Sequence, residues 1–180
     1  MKGKMPTIAF RIMAHLAMPI RNRLMPPSKI FAEFDIQPGH QVLDYGCGPG
    51  LFSIMAAEKT GSQGKVYALD IHPLALKMVS GKASKANLNH VVPMLSSWRI
   101  DLADDVLDRI ICLDTLHMVE KQAEALAEMH RALKPGALLY LSDHHMGNDN
   151  IVPLVENRGL FSLKEKGQRS FTYVKPKKSD

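Results

Sequence analysis

The sequence predicts an α/β fold of the doubly wound kind: one domain built on a seven-stranded sheet, mostly parallel, with an antiparallel hairpin strand at its C-terminal end and helices in front of it. Three observations carry that reading. Strand-like and helix-like periodicities alternate from residue 41 onward. Short apolar runs such as Val42-Leu43-Asp44-Tyr45 and Ala137-Leu138-Leu139-Tyr140-Leu141-Ser142 suit parallel strands buried on both faces. A glycine-rich turn stands between the first strand and the helix that follows it, where a ligand can approach the backbone.

Residues 8–18 have helical periodicity, Pro26-Pro27 break the chain, and Ser28 is placed to cap a short helix through Phe34. Strand 41–45 and helix 51–59 come next, followed by strand 65–70, helix 73–86 and a short strand at 91–95. The pattern continues with strand 109–114 and an amphipathic helix over 119–133, which Lys134-Pro135-Gly136 is expected to stop, and then strand 137–142. A short helix near 149–157 precedes two strand-like runs, 160–165 and 170–175, separated by a Lys-Gly-Gln-Arg turn. The chain therefore reads as a single domain over 1–180, with 1–35 a helical lead-in and candidate lid and 36–180 the α/β core.

With 180 residues, 46% of them apolar and 23% charged, the chain can bury one ordinary core, so disorder and fibrous structure are excluded. Cys47 and Cys112 lie in apolar stretches and form neither a disulfide framework nor a CxxC metal spacing, which suits a reducing cytoplasm. The apolar run 12–20 is too short to span a bilayer, and Arg11 interrupts the reading of the N-terminus as a secretory signal. The charge is divided: residues 1–30 hold six Lys or Arg and no acid, 164–180 hold six against Glu165 and Asp180, and the middle has 11 bases and 16 acids. Such basic ends read most simply as solvated tails; contact with nucleic acid or an anionic membrane is the weaker alternative.

The turn reads Asp44-Tyr45-Gly46-Cys47-Gly48-Pro49-Gly50. Glycines there leave the backbone bare and accept positive φ, although a purely structural tight turn would use the same residues. Asp70, at the end of the second strand, adds an acidic side chain where a ribose would be held by its hydroxyls. Leu51 stands where the dinucleotide fingerprint has its last glycine, so nicotinamide binding is the lesser option.

These residues also carry a family resemblance. The segment 36–50, with its Pro38-Gly39 turn and glycine loop, resembles the first motif of class I S-adenosylmethionine-dependent methyltransferases. Val66-Tyr67-Ala68-Leu69-Asp70 is similar to the second motif, 107–114 to the strand-four motif, and 133–139 to the turn into strand five, all in the family's order. The resemblance implies a Rossmann-like seven-stranded fold and S-adenosyl-L-methionine as cofactor. It places the backbone of Tyr45, Gly46, Cys47, Gly48 and Gly50 against the methionine part, Asp44 on its amino group, Asp70 on the ribose and Ile71 beside adenine, with Leu113 at the strand-four end. Where the family often has an acid for the adenine amino group, Ser96-Ser97-Trp98 stand; a hydroxyl or a carbonyl can accept the same bond, and Trp98 either covers the ring or packs in the core.

Methyl transfer from a sulfonium needs alignment and exclusion of water more than catalytic groups, but an acceptor that holds its proton near neutral pH benefits from a base. His117, after strand four, and His144, after strand five, are the candidates, because ligands of open parallel sheets lie beyond the carboxyl ends of the strands. Asp114, Asp143 and His145 complete a cluster whose groups suit divalent metals, yet no ligand spacing is diagnostic and no metal is expected. His15, His40, His72, His90 and His130 read as surface residues. Met13, Met18 and Met25 either line a lid or fill core gaps. The expected reaction is methyl transfer to a small-molecule acceptor; a macromolecular acceptor or an NAD(P)-binding oxidoreductase are the alternatives. Asp114-Thr115-Leu116-His117 replaces the Asn/Asp-Pro-Pro-aromatic loop of enzymes that methylate base amino groups, which counts against that chemistry.

Overall fold

The computed structural model describes residues 5–24 and 26–177. Its seven strands are β1 (Gln41–Tyr45), β2 (Lys65–Asp70), β3 (Val91–Leu95), β4 (Leu107–Leu113), β5 (Leu133–Ser142), β6 (Ser162–Lys166) and β7 (Phe171–Val174), arranged in the order β3-β2-β1-β4-β5-β7-β6. β1 to β5 run parallel and β7 pairs antiparallel with both β5 and β6. The order reverses between β1 and β4, so the crevice beyond their carboxyl ends is the place this topology offers a ligand.

The helices are α1 (Thr7–Ile12), α2 (Met18–Leu24), α3 (Pro27–Phe31), α4 (Leu51–Thr60), α5 (Pro73–Lys85), α6 (Gln122–Ala132) and α7 (Asn148–Glu156). Alternation along the strands divides the core in two. Val42, Val66, Ile111, Leu138 and Tyr140 face Phe34, Ala56 and Ala57 on one side. Leu43, Tyr45, Leu69, Ile110, Cys112 and Leu139 face Leu126 and Met129 of α6 and Ile151 and Val155 of α7 on the other. Both faces being covered explains why the strands read as nearly continuous apolar runs.

Several local expectations change. The N-terminal helix does not stop at 18: α1 passes through a wider π-type turn, Met13–Ala17, directly into α2. Ser28 makes no capping bond, because Pro26 occupies the cap position and the helix it opens ends at Phe31. The helix expected from 119 begins at Gln122, after a 3₁₀ turn at Leu116–Met118. Lys134-Pro135-Gly136 does not interrupt the chain but bulges within β5, whose register against β4 jumps between Leu107↔Leu133 and Arg109↔Leu138. Gly136, at φ +81, takes the left-handed corner and donates its N–H to the Lys175 carbonyl at 2.8 Å. Asp114 has left β4 at φ +49, its N–H bonded to the Ser142 carbonyl at 2.7 Å. Of the three methionines weighed as lid residues, Met13 packs against a small cluster of Phe10, Ala14 and Ala75, and Met25 lies outside the described residues.

Candidate active site

The glycine turn leaves β1 and is fixed from two sides. Gly46 and Cys47 both donate their N–H groups to the Leu69 carbonyl on β2, at 2.8 and 2.9 Å. Gly46 sits at φ +78, and a Cβ there would run into the Thr115 side chain, so no larger residue fits without moving the loop after β4. Gly48, at φ +51, has open space where its Cβ would lie, and its N–H is held by Asp70 Oδ2 at 2.9 Å. Gly50 abuts Val79 of α5, which draws the turn down against that helix.

Two buried carboxylates flank the turn. Asp44 follows Val42 onto the α4 face, where Ser53 donates its hydroxyl to Oδ2 at 2.5 Å. Burial pushes the Asp44 carboxyl up to about 7, with the Ser53 bond opposing and the Asp70 charge adding to the rise. Asp70 Oδ1 accepts from the His72 N–H at 2.7 Å while Oδ2 holds Gly48, and burial raises its pKa as well. Beyond its backbone N–H donors the Asp70 carboxylate keeps lone-pair capacity for a ligand. Cys47 is buried, and burial pushes its thiol up, so it lines the site as an apolar wall.

The end of β2 continues into Ile71, a large apolar side chain left 41% exposed. Ser96, just past β3, donates its N–H to the Asp70 carbonyl at 3.1 Å; its side chain is half-buried and that of Ser97 is exposed. Trp98 is half-buried against the α6-side core, its carbonyl accepts from the Tyr45 hydroxyl at 3.1 Å, and Lys121 Nζ lies 5.1 Å from its ring, which favours its packing role. His72 corrects the surface reading given to it: it is buried, its Nδ1 caps α5 by accepting from the Leu74 N–H at 3.1 Å, and its ring stacks on Phe10 of α1 at 4.3 Å. Its Nε2 is buried and has no hydrogen-bond partner among the described residues. His40, His90 and His130 are also engaged rather than simply solvated; His90 Nε2, for example, bonds the Ala57 carbonyl at 2.9 Å.

Beyond β4 and β5 the histidines form a stack. His117 Nδ1 lies 2.9 Å from both oxygens of Asp143, a carboxylate with no side-chain exposure, and its backbone N–H donates to Asp143 Oδ2. His144 Nδ1 lies 2.5 Å from Asp114 Oδ1. The His145 ring lies between them, 4.3 Å from that of His117 and 4.2 Å from that of His144. Among the described residues no three His, Cys, Asp or Glu converge in a way that could hold a metal ion.

A cavity of about 450 Å³ opens beside this stack. Its floor is Leu113, Asp114, Ser142 and His144 at the strand ends; Phe52, Ile30, Pro26 and Pro27 give it apolar walls, Asn22 enters from α2, and Gln168 and Arg169 from the β6–β7 turn. His144 therefore faces the cavity, whereas His117 is not among its lining residues. Asn22 and Arg169 escape sequence reading because only the sheet order, with β7 inserted beside β5, brings a C-terminal turn and an N-terminal helix to the same strand ends. Ser53 carries a faint signal: a small polar residue on the buried face of a helix that packs on a strand aspartate.

A seven-stranded sheet in this order, with a glycine cradle and two buried acids at its switch point, defines a class I methyltransferase domain with S-adenosylmethionine as its cofactor. Residues 36–173 match the family described as "Methyltransferase domain", and the chain belongs to that family. Demethylmenaquinone methyltransferase of Listeria monocytogenes serotype 4a is 33% identical over 114 residues, 63% of this chain and 48% of that protein. Methyltransferase GfsG of Streptomyces halstedii is 27% identical over 117 residues, 64% of this chain and 41% of that one. The chain thus spans about half the length of the curated relatives it matches. The crystal structure of a SAM-dependent methyltransferase from Aquifex aeolicus superposes with a TM-score of 0.76 at 25% identity, covering 96% of this chain and 98% of that one. A SAM-dependent O-methyltransferase from Thermotoga maritima shares the fold at TM-score 0.64 and 18% identity, over 85% of this chain and 65% of its own.

Proposed function

We propose that the chain transfers the methyl group of S-adenosylmethionine to a small-molecule acceptor seated in the cavity at the ends of β4 and β5. The observation that carries this reading is that the cavity and the glycine cradle are built on the carboxyl ends of neighbouring strands, β4 and β5 for the one and β1 for the other. The small-molecule acceptor named for the Listeria relatives is consistent with it. The two buried cysteines, which form no disulfide, fit work in the cytoplasm.

The bare face of Gly48 leaves room for the methionine part of the cofactor, and the buried Asp44 carboxyl is matched to its ammonium group. Asp70 has free lone pairs for ribose hydroxyls, with the exposed Ile71 beside the adenine position and Ser96 and Ser97 at its amino edge. When bound, the cofactor supplies a methyl group already activated on a sulfonium. His144 accepts the acceptor's proton at Nε2, because Asp114 occupies its Nδ1 and fixes the tautomer. His144 is 63% exposed at its side chain, so the proton has a route to solvent. Apolar walls and Arg169 favour an acceptor with an apolar body and a polar or anionic edge. The His117–Asp143 pair, off the cavity wall, braces the stack that positions His144.

The test pairs binding with turnover. Titration with S-adenosylhomocysteine should saturate in the wild type and in His144→Gln alike, and once an acceptor is found His144→Gln should transfer methyl about 10²–10⁴-fold more slowly. Wild-type turnover in that variant would remove His144 from the reaction.

A further inference from the structure

The helical run from Thr7 to Leu24 shows two unlike faces. The inner face is anchored: Phe10 and Ala14 are buried against Ala75 of α5, with Leu74 and Met78 packed alongside, and Phe10 stacks on His72. The outer face carries Ile8, Ile12, Leu16, Ile20 and Leu24, exposed by 75, 57, 59, 55 and 77%. They are more than half of the large apolar side chains left exposed among the described residues. In an α-helix a step of four residues overshoots one turn by about 40°, so five such positions would wind away from a line. The wider turn at Met13–Ala17 takes back part of that drift and keeps the stripe on one side of the run.

The charge around the stripe says what covers it. Residues 1–30 hold six Lys or Arg and no acid, whereas the middle of the chain holds 11 bases and 16 acids. Arg11, Arg23 and Lys29 are exposed on this segment. Apolar side chains in a row, among cations in a segment whose sequence holds no acid, complement an anionic lipid surface: the stripe enters the acyl boundary and the cations meet the headgroups. A second copy of this chain would set the same cations against one another. No helix among the described residues is long and apolar enough to cross a membrane, and a helix lying in the interface needs no such length.

We infer that the protein docks on anionic membranes through the Ile8, Ile12, Leu16, Ile20 and Leu24 face of its N-terminal helix. This goes beyond the methyl-transfer reading and does not depend on it. The same helix brings Asn22 to the wall of the acceptor cavity, so docking sets that cavity beside the bilayer, where apolar acceptors concentrate.

The experiment is cosedimentation of the full chain with vesicles of phosphatidylglycerol and phosphatidylcholine, and with phosphatidylcholine alone. Binding should require phosphatidylglycerol and weaken as salt rises. Ile12→Gln with Leu16→Gln should reduce it about tenfold or more, since each change withdraws a large apolar side chain from the boundary. Both positions are exposed, so the variant should keep the wild-type melting temperature. Arg11→Glu with Arg23→Glu should abolish the preference for phosphatidylglycerol. Absence of vesicle binding, or equal binding by the stripe variant, would overturn the inference. So would self-association in analytical ultracentrifugation that vanishes with Ile12→Gln and Leu16→Gln, since the face would then belong to a second copy.

Discussion

Asp44 is the residue whose physics is least visible in its letter. A strand aspartate beside a glycine turn reads as a ligand contact, but its buried position makes it an acid that releases its proton only at about 7. A raised pKa means that the folded chain holds the proton more tightly than the unfolded chain does. Its burial penalty is therefore absent below the ordinary value of 3.8, grows as pH rises, and is complete above about 7. Two outcomes should follow. The ligand-free protein should lose stability between those limits as pH rises, in thermal melts, and Asp44→Asn should reduce that slope, leaving the part that the buried Asp70 contributes. If the ionised carboxylate pairs with the cofactor's ammonium, affinity for S-adenosylhomocysteine should fall about tenfold per pH unit below 7, by calorimetry; a flat profile would take Asp44 out of the contact. The same principle separates legible from illegible residues. Gly46 and Gly48 were readable because a turn needs bare backbone, whereas the close approach of Thr115 to Gly46 depends on β4 lying beside β1. His72 reads as a surface residue in the sequence because nothing local indicates that Phe10, 62 positions away, covers its ring. Gly46→Ala should destabilise the domain by about 1–3 kcal/mol in denaturant melts, combining positive φ with that collision. Thr115→Ala should recover part of the loss.

At the scale of elements, strands and the helices between them were legible from periodicity, since each parallel strand is a short apolar run bounded by turn residues. Boundaries failed where tertiary contacts override local signals. Lys134-Pro135-Gly136 looks like a helix stop and is a bulge in β5, because β7 supplies partners the local sequence does not announce. The Lys175 N–H donates to the Ala137 carbonyl at 3.1 Å, and the buried Lys175 Nζ reaches the carbonyls of His130 and Leu133 and Asp105 Oδ1 at 2.8, 2.7 and 2.6 Å. One ammonium thereby caps the end of α6 and ties it to the last strand, so its removal leaves buried carbonyls without donors. Lys175→Met should lower stability by about 2–4 kcal/mol in chemical denaturation while leaving the cofactor cradle's chemistry intact. A loss below the error of the melt would show that water replaces the ammonium there.

For the whole molecule, the sheet order converts a string of unremarkable segments into one site. The reversal between β1 and β4 opens the crevice for the cofactor, and insertion of β7 beside β5 carries the Gln168–Arg169 turn to the acceptor cavity. The first half of that site was legible because its residues are contiguous or end neighbouring strands. Of the second half only His144, at the end of β5, was legible, because Asn22, Phe52 and Arg169 are collected from across the chain. His117 follows β4 as expected, and its Nδ1 lies 2.9 Å from both oxygens of Asp143. The central claim, that the glycine cradle and its two acids hold S-adenosylmethionine, is tested most directly by isothermal titration of the purified chain with S-adenosylhomocysteine and, separately, with NADH. Saturable one-to-one binding of the sulfur nucleoside, weakened by about 1.5–3 kcal/mol in Asp70→Ala, with no heat from NADH, is the expected result. Saturable binding of NADH with none of the sulfur nucleoside would contradict the account.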